Sequence, residues 1–130
     1  MASILRVNTL TDASSNNSTA MSTIFNGTAK AWVNFNGEST VAIGDDFNVT
    51  SITDNGTGDY TINISSAMSN ANYVAHVTCS RDDTKNGMGN IHGSSAAPTA
   101  SALRIISSIP TTTDGIDTTF SNVSTHGDLA

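Results

Sequence analysis

From residue 29 onward the chain runs in short stretches where large apolar residues alternate with polar ones, broken at close intervals by asparagine and glycine. A period of two with β-branched enrichment is the signature of half-buried strands. "AKAWVNF" predicts a strand over residues 29–35, with a turn at Asn36-Gly37. "TVAI" and "FNVTSIT" predict two more, separated by a turn at "GDD". "DNGTGD" predicts a hairpin loop, because Asn55-Gly56 and Gly58 reach positive φ at little cost. "YTINIS" returns from it with Tyr60, Ile62 and Ile64 on one face, followed by "NYVAHVTC". A long polar, glycine-rich loop over residues 80–99 separates these from "SALRIISSI" and "IDTTFSNVS". With "ILRVNTL" near the N-terminus, about eight short strands are expected. That number suits an all-β fold, an antiparallel β-sandwich or a jelly-roll-like module.

The first 28 residues differ from the rest. After "ILRVNTL" the segment is polar, with little to bury, and predicts an extended arm. The expected division is therefore an attachment and oligomerisation arm over 1–28 and a sandwich domain over 29–130. Ile4, Leu5, Val7, Ile24 and Phe25 are the arm's candidate partner-binding residues, with "ILRVNTL" adding as a strand to a partner's edge.

Trp32, the only tryptophan, raises a separate question. Alternation sets Trp32 and Asn34 on one face of their strand and Val33 and Phe35 on the other. Both faces thus carry a large apolar residue, and Trp32 and Phe35 are expected to anchor the sandwich or a subunit contact. A buried Trp32 favours that structural role. An exposed one flanked by Asn and Asp favours a carbohydrate-binding module, where the ring or Tyr73 would serve as a stacking platform.

Composition sharpens this picture. Only 12% of residues are charged, against about 25% in an ordinary soluble domain. In their place stand 18 serines, 19 threonines and 14 asparagines. Such a surface is polar through hydroxyls and amides, so its interactions depend weakly on salt. A net charge of −6 with five scattered basic residues argues against nucleic-acid binding. Aromatics make up 5%, and the lean core this implies points to oligomerisation as a source of further burial. Cys79, the single cysteine, rules out an intramolecular disulfide and reads as a small inward residue in register with Tyr73, Ala75 and Val77. No apolar run resembles a signal segment or approaches the roughly 20 residues of a membrane span.

No catalytic constellation emerges. His76, His92 and His126 lack metal-ligand spacing, and the Asp pairs read as turn residues. Glu38 is the only glutamate, which leaves no carboxylate pair for glycoside hydrolysis. "GMGNIHG" misses the dinucleotide spacing, and no serine lies in a nucleophile elbow. The reading is of a non-enzymatic protein without cofactor or metal. The loop carrying Arg81, Asp82, Asp83, Lys85 and His92 is the candidate exposed recognition surface, since loops on rigid β scaffolds commonly carry binding.

Residues 26–74 contain "AKAWVNFNG", "FNVTSITDNGTGDYT" and "AMSNANY". They resemble a module of tail-fibre and other virion appendage proteins of bacteriophages, marine phages included. The opening "MASILRVNTLTDASSNN" resembles the N-terminal start of many small phage structural proteins. The resemblance implies a β-rich, commonly homotrimeric appendage domain on the outside of a virion, without enzymatic activity. Its expected partners are copies of itself, other virion proteins through the arm, and a host surface glycan or receptor. A capsid decoration or cement protein is the alternative. Residues 80–130 lie outside the resemblance and are expected to carry any host or partner specificity.

Overall fold

The computed structural model describes residues 4–80, 87–110 and 114–130. It is an antiparallel β-sandwich, as the alternation predicts. In chain order the elements are β1 (Thr9–Thr11), β2 (Ser18–Ala20), α1 (Met21–Gly27), β3 (Ala31–Asn36), β4 (Ala42–Phe47), β5 (Val49–Gly56), β6 (Asp59–Ile64), β7 (Val74–Ser80), β8 (Met88–Ile91), β9 (Ala102–Ser108) and β10 (Phe120–His126). One sheet has the order β4-β3-β10-β7, the other β5-β6-β9-β8, and β1 pairs with β2 as a separate ribbon.

The core lies between the two four-stranded sheets. Val33 and Phe35 of β3 and Val123 of β10 meet Tyr60 and Ile62 of β6 and Leu103 and Ile105 of β9. The Phe35 and Tyr60 rings cross edge to face at 5.2 Å between centroids, a favoured aromatic geometry. A smaller cluster of Ala31, Ile64 and Met68 closes one end. There the C-terminus is tied down by backbone bonds from Ser69 N–H to Asp128 O and from Ala130 N–H to Ala67 O.

Tight backbone approaches fall where glycine stands. Gly58, at φ 69°, ends the predicted β5–β6 hairpin. A Cβ there would lie 2.3 Å from the Ser107 carbonyl oxygen, so only glycine fits. The hairpin is pinned by bonds from Gly58 N–H to Asp117 Oδ1 (2.8 Å) and from the Tyr60 hydroxyl to the same oxygen (2.7 Å). Burial first, and the Asp117 carboxylate second, push the Tyr60 phenol far above its ordinary value, so it stays a donor.

Four expectations need correction. "GDD" is not a turn: Gly44, Asp45 and Asp46 lie inside β4, and a bulge at Asn34/Phe35 accommodates the extra residue. β4 is a sheet edge, where charged side chains reach water at no cost. The chain instead changes sheet at Asn48, which takes φ 58°. Its side-chain amide donates to Lys30 O (2.9 Å) and Ser66 O (3.0 Å) and accepts from Ser66 N–H (2.6 Å). β8 occupies part of the stretch read as a loop. Its Gly89 sits so close to β7 that a Cβ would be 2.4 Å from Val77 Cγ1. Finally, the last strand begins at Phe120 rather than near Ile116.

The fourth correction concerns the N-terminal segment, which is not a plain extended arm. The strand expected over "ILRVNTL" is confined to Thr9–Thr11, and β2 of the same chain is its partner. Asp12 closes the ribbon's turn, accepting from the Ser14 and Asn16 N–H groups and from Asn17 Nδ2. Seven residues then form α1. Lys30, almost fully buried, ties α1 to the sandwich: its ammonium donates to the Phe25 carbonyl and to Thr28 Oγ1. It also sits 3.8 Å from the centroid of the Phe25 ring. A cation at the carbonyl end of a helix is electrostatically favoured.

Candidate functional site

The outward faces of the two sheets are built differently. On β5-β6-β9 the polar side chains bond to one another. Asn63 Nδ2 donates to Ser51 Oγ and Thr53 Oγ1, and Asn55 Nδ2 to Thr61 Oγ1. Arg104 grips Asp59 through two bonds of 2.7 and 2.6 Å. That guanidinium holds the Asp59 carboxyl below its usual range, the hydrogen bond being the main cause. This face spends its polar groups on itself.

The face of β4-β3-β10-β7 does so at one pair, Asn34 and Asn122, among the described residues. Register places the outward residues in rows across the sheet: Phe47, Trp32, Ser124 and His76 in one, Asp45, Asn34, Asn122 and Thr78 in the next. In the first row two aromatics and an imidazole flank the short Ser124, so the row dips at its centre. The dip is an open trough of about 630 Å³, with Trp32, Asn34, Asp45, His76, Thr78, Asn122 and Ser124 contributing to its lining. Asn34 Nδ2 donates to Asn122 Oδ1 at 2.7 Å across its floor. His76 is braced by His126, the rings meeting edge to face at 5.7 Å. Its volume lies in the range of small-molecule sites, but it is wide open to solvent, and most of its exposed lining is apolar, with amides and hydroxyls supplying the smaller share.

Trp32 is therefore not a core anchor. It is 37% exposed on the outer face, whereas Phe35, one residue beyond Asn34, is 1% exposed in the core. Phe35 thus anchors the sandwich core; Trp32 does not, and a contact to another subunit is the part of that expectation left to it. Side chains alternate across the pleat, and no second layer covers the outer face of β3 in the described residues.

The other candidates do not join this site. Arg81, Asp82, Asp83 and Lys85 lie outside the described residues. His92, one residue past β8, donates its backbone N–H to the Arg104 carbonyl of β9, the neighbouring strand of the same sheet. Ile4 and Leu5 are 75% and 80% exposed; Val7 and Phe25 are exposed and Ile24 half-buried. None of the five enters a core cluster. Cys79 is half-buried on the inner side of β7, near Ser121 Oγ.

A second depression, of about 420 Å³, has Glu38 and Asp117 in its lining, but Asp117 there holds Tyr60 and Gly58. Among the described residues no three of His, Cys, Asp and Glu gather to hold a metal, and no helix is long and apolar enough to cross a membrane. The sequence reading passed over Asn34, Asp45, His76, Thr78, Asn122 and Ser124 as a group. The local signal was present in each alternating strand; the pairing of β3 with β10, nearly ninety positions apart, was not. No protein-family description, curated protein or solved structure matches the chain.

Proposed function

We propose that the protein is a non-enzymatic structural subunit of a bacteriophage virion: a homotrimeric fibre or appendage module that attaches through its N-terminal segment and presents the trough-bearing sheet face outward. The observation that carries this reading is the exposure of Ile4, Leu5 and Phe25, at 75%, 80% and 50%, in a segment that adds nothing to its own core. Apolar groups left this exposed by their own chain are what an assembly element presents to a partner. The resemblance of residues 26–74 supports the virion context, and the charge-poor, hydroxyl-rich surface suits a component standing outside the cell. A capsid decoration protein is the second reading, since an N-terminal assembly segment serves a shell as well as a tail.

The test has two parts. Native mass measurement of the purified protein is expected to give three copies; a stable monomer at micromolar concentration removes the trimer. Deleting residues 1–24 is expected to leave a soluble β domain that no longer joins the particle. Wild-type occupancy of the truncated protein in virions would refute the attachment role. Antibody labelling of intact particles separates tail from shell.

A further inference from the structure

We infer that the trough on the β4-β3-β10-β7 face is a saccharide-binding site, with Trp32 as its apolar platform and Asn34, Asp45, His76, Thr78 and Asn122 as its hydrogen-bonding groups. This deepens the proposed reading of that face as the contact surface.

The argument begins with the distribution of apolar and polar groups. Trp32, Phe47, Val74 and Phe120 are the large apolar residues turned outward on this sheet, at 37%, 52%, 57% and 52% exposure. Phe47 stands on an edge strand and Val74 and Phe120 in the outermost rows, whereas Trp32 lies on the inner strand β3, beside Ser124. On the inner strands Trp32 is bordered by Asn34, Asn122 and Ser124, with His76 and Thr78 beside them on the edge strand β7. An interface between protein copies gathers several apolar residues at its centre within a polar rim, whereas here a single inner-strand ring is set among amides and a hydroxyl. A sugar ring fits this arrangement, because it offers an apolar C–H face to an aromatic and a fringe of hydroxyls to amides and carboxylates. Each of Asn34, Asn122 and Asp45 retains hydrogen-bonding capacity beyond its one recorded bond. The side chains of Thr78 and Ser124 make no hydrogen bond to any described residue.

Charge narrows the ligand further. The trough contains one carboxylate, Asp45, and neither lysine nor arginine, in a chain of net charge −6. Uronate- or sulfate-bearing sugars meet repulsion there. The preferred ligand is a neutral pyranoside oligomer, since a depression this open to solvent does not enclose a single ring.

Trp32 is the only tryptophan, so its fluorescence reports the site directly. The purified protein is titrated with maltotriose, cellotriose and chitotriose, and with trigalacturonate as the acidic control, at up to millimolar concentration. At least one neutral trimer is expected to give a saturable change, and trigalacturonate none. Calorimetry with that trimer is expected to show roughly tenfold weaker binding for Trp32→Ala, the loss of about one aromatic contact. Trp32→Tyr should restore most of it. Ser124→Phe, which fills the trough while leaving Trp32 in place, should abolish binding; circular dichroism checks that each variant is folded.

No response to any neutral trimer, a preference for trigalacturonate, or wild-type affinity in Ser124→Phe would overturn the assignment. So would an oligomer that Trp32→Ala dissociates in sedimentation, since a second copy would then cover the face. These measurements use the isolated protein, so they can fail while the place in a virion, read from particles, stands, and the converse holds too.

Discussion

At the scale of single residues, Asn48 carries more of the fold than its polarity suggests. It holds a left-handed φ and satisfies backbone groups at Lys30 and Ser66 where the chain leaves one sheet for the other. Asn48→Ala loses those bonds and leaves in the left-handed region a residue that tolerates it less well than asparagine, an expected cost of about 2–4 kcal/mol in urea unfolding. Asn48→Gly relieves the strain alone and should recover about 1 kcal/mol of it. A second residue-scale prediction follows from Asp59, whose folded carboxyl lies below its unfolded value because Arg104 bonds it. A depressed carboxyl contributes stability above its unfolded value, near pH 4, and loses it as pH falls through the folded value. The pair is partly exposed, at 34% and 19%, so its contribution is roughly 0.5–1 kcal/mol after solvent screening. Asp59→Asn should lose that amount at pH 7 and flatten the decline in stability below pH 4.

At the scale of elements, the departures from the sequence reading share a cause. β8 was hidden because Gly87 and Gly89 look like loop residues; Gly89 is there because β7 approaches too closely for a side chain. β4 absorbed an apparent turn because an edge strand tolerates Asp45 and Asp46. The expected total of about eight strands agrees with the eight in the sandwich, yet β8 takes the place given to "ILRVNTL". The helix α1 has no buried residue of its own, and Lys30 is its main tether. Replacing Lys30 with Met keeps the buried stem but removes the bonds to Phe25 and Thr28. Amide exchange in α1 is expected to rise about tenfold while that of β3 and β10 is unchanged, since an element with few core contacts opens locally. Equal acceleration everywhere would mean that Lys30 supports the sandwich instead.

At the scale of the whole molecule, the sandwich should stand without its N-terminal segment, because both core clusters begin at Ala31 or later. Removing residues 1–24 is expected to leave the strand signal intact by circular dichroism and to shift the stability by less than about 1 kcal/mol. A molten or aggregated product would show that the segment belongs to the fold. By itself the sequence determined the fold class, the sharing of one face by Val33 and Phe35 and of another by Tyr60, Ile62 and Ile64, and the glycine hairpin at Gly58, because a period of two and the freedom of glycine are local properties. It also put Asn34 beside Trp32 on one face of β3. Only the tertiary structure decided that this face is open, and that β10 and β7 bring Asn122, Ser124, His76 and Thr78 to it. Which strand lies beside which is settled by how two twisted sheets bury one shared core, and that depends on residues far apart in the chain. The same dependence placed Trp32 outside: local alternation names two faces, and only the packing of the second sheet says which one meets water.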